Sequence, residues 1–352
     1  MAYTTVDNGE EYFNTVLWTG DASSDKSISG VGFQPDWVWA KNRSDSNDNQ
    51  VIDSNRGAGK ILRTNSNGAE LTRSSDVGAG GLQNFESDGF DVHATSTNTN
   101  LNDNGELNVG WCWKANGGTT SSNSDGDITA TVQANTTAGF SIMTWTSNNA
   151  DNQTIGHGLG AAPEVFWVKI RDATGSWYCY FKEAGATHYL SLNSTGARVD
   201  NVIWGDTHPT SSVITVDTNS LSGSTPTVVS YAFKQIQGYS KFGSYTGNGN
   251  ADGPFVYTGF KPAWLLFKQS SASGENWRIF DNKRSPFNQV DDHLFASSNS
   301  VENDETGCDF LSNGFKWKNS DAHQNGNGAT YVYMAFAEHP FVSSKGVPVT
   351  AR

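Results

Sequence analysis

Pro35-Asp36-Trp37-Val38-Trp39-Ala40-Lys41 is followed, altered but in step, by Pro163-Glu164-Val165-Phe166-Trp167-Val168-Lys169 and by Pro262-Ala263-Trp264-Leu265-Leu266-Phe267-Lys268. Pro and Lys stand six residues apart each time. A Gly with an apolar neighbour precedes each run: Gly32-Phe33, Gly158-Leu159 and Gly259-Phe260, with the second copy two residues longer at this turn. Alternate residues of such a run point to one side of a strand. In Trp37-Val38-Trp39 and Phe166-Trp167-Val168 both sets are apolar, as in a central strand covered on both faces. Proline is tolerated at the start of such a strand because no ladder donor is needed there.

Working outward, further markers recur around these runs. Leu62, Asn65, Ser66, Gly68 and Ala69 match Leu190, Asn193, Ser194, Gly196 and Ala197 with identical spacing. Phe85, Ser87, Asp88, Gly89 and Phe90 match Phe310, Ser312, Asn313, Gly314 and Phe315; the second copy lacks this block. Asp88-Gly89 and Asn313-Gly314 are turn dipeptides that accept positive φ, each joining two strands that carry Phe into a core. Trp111-Cys112-Trp113, Tyr231-Ala232-Phe233 and Met334-Ala335-Phe336 close the copies, and Trp18-Thr19-Gly20, Trp145-Thr146-Ser147 and Tyr245-Thr246-Gly247 open them.

The pattern predicts an all-β chain of three tandem antiparallel β-sandwich domains of jelly-roll or concanavalin A-like type, since a sheet with one wet face needs a second sheet to cover the other. The expected division is 1–116 for the first repeat, 117–126 for a Gly/Ser/Thr linker, 127–237 for the second repeat, 238–340 for the third and 341–352 for a C-terminal arm. The near absence of a linker between the second and third repeats predicts that those two pack together. Helix is expected to be scarce, with a turn near Ala58–Leu62 or Pro286–Gln289.

Composition agrees. The 352 residues include 12 Trp, 11 Tyr, 19 Phe and 37 Gly, an aromatic content that disordered chains lack. A net charge of −13 without a basic run argues against nucleic acid as a partner. Asp7, Glu10 and Glu11 stand where a secretory signal would need basic and apolar residues, and the longest apolar runs fall far short of a bilayer span, so synthesis in the host cytoplasm without membrane insertion is expected. Cys112, Cys179 and Cys308 have no Cys-x-x-Cys partner and read as small buried hydrophobes.

The Gly32–Arg43 run, Asp53-Ser54-Asn55-Arg56-Gly57, Phe85–Phe90, Trp111-Cys112-Trp113-Lys114 and Tyr239–Gly249 together resemble a repeat family found in phages of marine bacteria, including cyanophages and pelagiphages. The resemblance covers nearly the whole chain. It implies a virion structural, tail or fibre-like protein with lectin-like sandwich domains, and it carries over no catalytic or ligand residue. The expectation is therefore a non-enzymatic virion protein, preferably tail-associated or fibre-like and engaged in host-surface attachment. A capsid decoration protein and a lectin-like glycan-binding module are the alternatives. Partners would be other virion proteins, further copies of the chain (a trimer, by analogy with phage appendages) and a cell-surface glycan.

Chemistry-bearing motifs are few. Arg56-Gly57-Ala58-Gly59-Lys60 lacks the leading Gly and trailing Ser or Thr of a phosphate loop. Asp45-Ser46-Asn47-Asp48-Asn49 suggests an irregular Ca2+ loop, but Gln50 and Arg56 occupy positions that call for Gly and Glu. No two of the seven His stand at metal-ligand spacing, and no nucleophile elbow occurs, so no cofactor is called. Asp53-x-x-Arg56 and Asp281-x-x-Arg284 predict ion pairs that fix the loop after a strand, or that meet a partner subunit. Trp177 and Trp277, each after a polar turn, and Trp204, in Trp204-Gly205-Asp206-Thr207-His208, are the candidate glycan or partner contacts, alongside the simpler reading of core packing.

Overall fold

A computed structural model describes residues 4–72, 81–94, 101–222 and 224–337; the arm expected at 341–352 lies outside these. Each third of the chain builds its sheet on the same four strands. They are β1 (Phe13–Thr19), β2 (Trp37–Asn42), β3 (Gln50–Asp53) and β4 (Leu107–Trp113) in the first third. In the second they are β5 (Phe140–Thr146), β6 (Val165–Ile170), β7 (Tyr178–Phe181) and β8 (Thr227–Phe233). In the third they are β9 (Ser240–Thr246), β10 (Pro262–Gln269), β11 (Arg278–Asp281) and β12 (Thr330–Ala337). The spatial orders are β1-β4-β2-β3, β5-β8-β6-β7 and β9-β12-β10-β11, antiparallel throughout. Every ladder among the described residues joins strands of one third.

The registers explain the repeated blocks. Trp37 faces Trp113, Val165 faces Phe233 and Trp264 faces Phe336, so each Pro-led run is laid beside its closing marker. The Phe-flanked turn blocks are hairpins with Phe85 opposite Phe90 and Phe310 opposite Phe315. A Cβ on Gly89 would lie 1.9 Å from the Ile28 carbonyl, and one on Gly314 would lie 2.1 Å from the Val256 carbonyl, which is why glycine holds both places.

Both faces of the Pro-led strands are covered, by different things. Val38, Ala40 and Cys112 join Ile28, Leu82, Phe90 and Val92 of the three-stranded sheet Lys26–Ser29, Gly81–Glu86 and Gly89–His93 in a core of the first third alone. Phe166, Val168 and Ala232 do the same with Ile155, Ile214 and Val216, and Leu265, Phe267 and Ala335 with Val256, Phe315 and Trp317. The alternate residues of all three runs meet one another. Trp37, Trp39, Trp111, Trp113, Val165, Trp167, Tyr231, Phe233, Trp264, Leu266, Met334 and Phe336 form one core common to the three thirds. Ring centroids bridge each pair of thirds: Trp37–Trp167 at 5.9 Å, Trp113–Trp264 at 5.4 Å and Phe233–Phe336 at 6.3 Å. One indole of ~200–250 Å² contributes ~5–6 kcal/mol when withdrawn from water, before ordering entropy. The expected pairing of the second and third repeats is thus one of three such contacts, because the first packs on both.

Within 117–126, the stretch read as a linker, Ser121–Asn123 forms a strand on the Ala130–Asn135 strand beside β5, and the Gly117 and Gly118 amides donate to Asp36. Helix is scarce, and the turn expected near Ala58–Leu62 is present, closed by Lys60 N on Gly57 O, but neither expected place is helical. Ala58–Leu62 includes a short strand and Pro286–Gln289 is irregular, while the two short α-helices lie at Thr218–Ser222 and Ala322–Asn325. Single turns flanked by Gly57 or led by Pro286 have too few backbone bonds to fix a helix.

Candidate functional site

The seams between thirds are built from equivalent positions. Register places Asn49, Trp177 and Trp277 at one structural position, four residues before Asp53, Phe181 and Asp281. Trp177 Nε1 donates to Arg63 O of the first third (2.8 Å), Trp277 Nε1 to Ser191 O of the second (2.9 Å) and Asn49 Nδ2 to Phe295 O of the third (2.9 Å). The acceptors are themselves equivalent, each following the buried Leu62, Leu190 or Leu294. A second ring is purely backbone: Glu70 N to Arg171 O, Arg198 N to Ser270 O and Glu302 N to Arg43 O. Both rings close on themselves, so the three thirds are related by an internal pseudo-threefold arrangement. The Leu-x-x-Asn-Ser-x-Gly marker serves this docking. Asn65 and Asn193 accept from the amides of Asn49 and Trp177, while Ser66 and Ser194 turn the chain by accepting from Gly68 and Gly196.

Trp177, Trp204 and Trp277 are all 0% exposed. Trp204 donates to His188 O (2.9 Å) and sets its edge against Phe166. The expectation that these rings contact a glycan therefore needs correction: a ring with no exposed face stacks on nothing outside the fold, and two of the three bind the neighbouring third. Among the described residues, the rings most open to solvent are others. Phe255 and Tyr257 are exposed on either side of buried Val256, at positions held by Ser27 and Ser29 in the first third, and Phe287 is exposed on a loop. Their signal was a short apolar alternation, Phe-Val-Tyr, of the kind that also describes a half-buried strand.

Two of the seams are charged. Arg56 pairs with Asp53 (2.5 Å) and Glu70 (2.9 Å), Tyr231 of the second third donates to Asp53 (2.6 Å), and Arg171 of the second third pairs with Glu70 (2.9 Å). Arg284 repeats this with Asp281 (2.6 Å) and Glu302 (2.9 Å), joined from the first third by Trp111 Nε1 (2.9 Å) and Arg43 (2.6 Å). Burial pulls Glu70 and Glu302 upward, but their arginines outweigh it and hold both below the ordinary carboxylate value. At the remaining seam, register puts Phe181, Ala184 and Met334 in place of the Asp, Arg and aromatic donor. The two Asp-x-x-Arg motifs thus do fix the loop after a strand, and the partner they meet is another third of the same chain.

Lys41, Lys169 and Lys268, the invariant ends of the Pro-led runs, are buried with Nζ on backbone carbonyls: Asn42 O, Gly68 O and Ile170 O, and Gln269 O, respectively. Burial lowers all three to about 8.

A concave site in the second third gathers ionisable groups outside these seams. A cleft of about 270 Å³ in the second third is lined by Pro163, Glu164, Tyr180, Lys182, His208 and Pro209. Tyr180 Oη and His208 Nδ1 share a hydrogen bond of 2.6 Å. Burial, then the charges of Glu164 and Glu183, push the phenol's pKa up. The longer turn before Pro163 and the polar segment after Trp204 were the sequence signals nearest to it; the segment's Trp is buried, and its His208 reaches the cleft.

Elsewhere the side chains are engaged with the fold. Asp48 accepts from Asn65 and pairs with Arg63, and Asn49 is committed to the seam with the last third of the chain, so the 45–49 segment serves as a hairpin tip docked on its surroundings. Arg56 of the glycine-rich 56–60 segment is an ion-pair centre. Cys112, Cys179 and Cys308 are buried free thiols whose pKa burial raises. Among the described residues, no group of three His, Cys, Asp or Glu is placed to hold a metal ion, and no helix is long and apolar enough to cross a membrane.

The chain belongs to a family described as a domain of unknown function (DUF7483), whose model matches residues 8–340 in a single span across all three thirds. No curated protein and no solved structure matches it.

Proposed function

We propose that this protein is a structural component of a bacteriophage particle, a tail-associated or fibre-like element that attaches the particle to a host surface and performs no catalysis. The observation that carries this reading is the closed seam. Three strand-rich thirds joined by two complete rings of hydrogen bonds and one aromatic core form a body whose parts are held in fixed relation, as a load-carrying display element requires. The marker blocks that resemble marine phage virion proteins are the residues of that body: the Pro-led strands, the closing strands and the Asp-x-x-Arg loops. In this reading each third is one jelly-roll or concanavalin A-like sandwich, and the partners are other virion proteins, further copies of the chain in a trimer, and a surface glycan.

A capsid decoration role is the second reading, favoured by the internal pseudo-threefold arrangement, which matches the symmetry of a threefold position on a shell. Immunogold labelling of intact particles separates the two. Gold on the tail supports the first, gold over the head the second, and particles that lack the protein altogether overturn both.

A further inference from the structure

The pseudo-threefold arrangement supplies an internal control for the cleft in the second third. Asp36 and Glu164 occupy equivalent positions, each directly after the Pro that leads its strand. In the first third the site is closed. Asp36 accepts from the amides of Ala115, Gly117 and Gly118 and from the Ser54 hydroxyl, so both carboxylate oxygens are taken. In the second third Glu164 keeps the one equivalent bond, from the Gln235 amide at 2.7 Å, and its other oxygen has no hydrogen-bond partner among the described residues. Ser54 is replaced by Lys182. The backbone bond is retained, Lys182 N to Glu164 O at 2.8 Å as Ser54 N to Asp36 O, yet the ammonium and the carboxylate form no ion pair and line the cleft instead. Ile52 and Phe280, core residues of the other thirds, are replaced by Tyr180, whose hydroxyl orients His208 at the rim. A position that the fold closes in one copy is opened in another and lined with a donor, an acceptor and an imidazole.

We infer that this cleft binds a single neutral pyranose unit of a surface glycan. Lys182 and the free oxygen of Glu164 offer a donor and an acceptor for neighbouring hydroxyls, His208 offers a third polar contact, and Pro163 and Pro209 offer apolar surface to the C–H face of the ring. The volume is just below the ~300–1,000 Å³ of sites for drug-sized ligands, and suits one ring. The charges in the cleft are balanced, and the chain's net charge of −13 disfavours an acidic sugar.

The inference rests on the attachment reading and names its ligand. The test is titration calorimetry of the full chain with methyl glucoside, methyl galactoside and methyl mannoside, and with glucuronate as the charged comparison. At least one neutral glycoside is expected to bind saturably. Lys182→Met and Glu164→Gln are each expected to weaken it about tenfold or more, with the melting temperature retained because Lys182 is exposed and a Gln still accepts from Gln235. Failure of all three glycosides to bind, tighter binding of glucuronate, or unchanged affinity in both variants would overturn it. Labelling of particles stands apart from this result. Protein present on the tail with an inert cleft refutes the ligand and leaves attachment in place, whereas sugar binding by a protein absent from the particle does the reverse.

Discussion

Arg56 is the most informative residue to remove. Its side chain is fully buried and meets Asp53, Glu70, Val51 O and the Tyr231 hydroxyl, so it ties two parts of the first third to the second. Arg56→Ala leaves Asp53 as a buried carboxylate that retains only the Arg56 backbone amide and Tyr231 as donors, while Glu70 keeps Arg171. Breaking a buried pair on one side costs ~3–5 kcal/mol, chiefly through the charge left behind. The protein also holds the remedy, since its own third seam has Phe181, Ala184 and Met334 at the equivalent positions. The triple variant Asp53→Phe, Arg56→Ala, Tyr231→Met copies that seam and is expected to return to within ~1–2 kcal/mol of the parent, because an apolar replacement of similar volume removes the stranded charge. Urea unfolding, followed by tryptophan fluorescence and by far-ultraviolet dichroism, measures both variants through the midpoint at unchanged slope. An Arg56→Ala loss below ~1 kcal/mol, or a triple variant no more stable than the single one, would refute the reasoning.

Two further predictions concern stability. Trp177→Phe and Trp277→Phe keep a ring in the core but remove one hydrogen bond to the neighbouring third, and each should lower stability by ~1–2 kcal/mol in the same unfolding assay while leaving glycoside affinity unchanged. The pH dependence follows from the three buried lysines. Folded values of about 8 against 10.5 in the unfolded chain mean that the unfolded state holds more protons above pH 8, so stability rises with pH there. The rise ends near pH 9, where the thiols of the unfolded chain ionise while the buried Cys112, Cys179 and Cys308 resist. Melting temperature measured from pH 7 to 10 should therefore pass through a maximum near 9, and Lys169→Met should flatten its rising limb.

Much of the architecture is written in the order of the residues. The alternation in Trp37-Val38-Trp39 announces a strand covered twice, and the threefold return of the Pro-led run announces equivalent strands, because side-chain direction along a strand has a period of two whatever surrounds it. The loop ion pairs at Asp53-Arg56 and Asp281-Arg284 were legible for the same reason: three residues of separation at a strand end bring the two side chains together locally.

What covers the second face could not be read that way. Periodicity states that a face is buried and is silent on the partner, since the partner is chosen by closure in space and can be as distant in sequence as Trp167 is from Trp37 or as near as Phe242 is to Phe233. Trp177, Trp277 and Trp204 follow or precede polar turns, and only the packing of one third on the next, or of a loop on its own sheet, decides that their indoles point inward. The cleft is a still finer difference. Asp36 and Glu164 look interchangeable in the sequence, but one is fully bonded and the other keeps a free oxygen, because the extra methylene, the longer turn and Lys182 in place of Ser54 change where the carboxylate lies. The linear chain by itself determined the strands and their threefold likeness, through local sterics and alternation. The tertiary structure alone decided which surfaces those strands share and which polar groups are left to face solvent, because both depend on contacts that exist only once the three thirds have closed on one another.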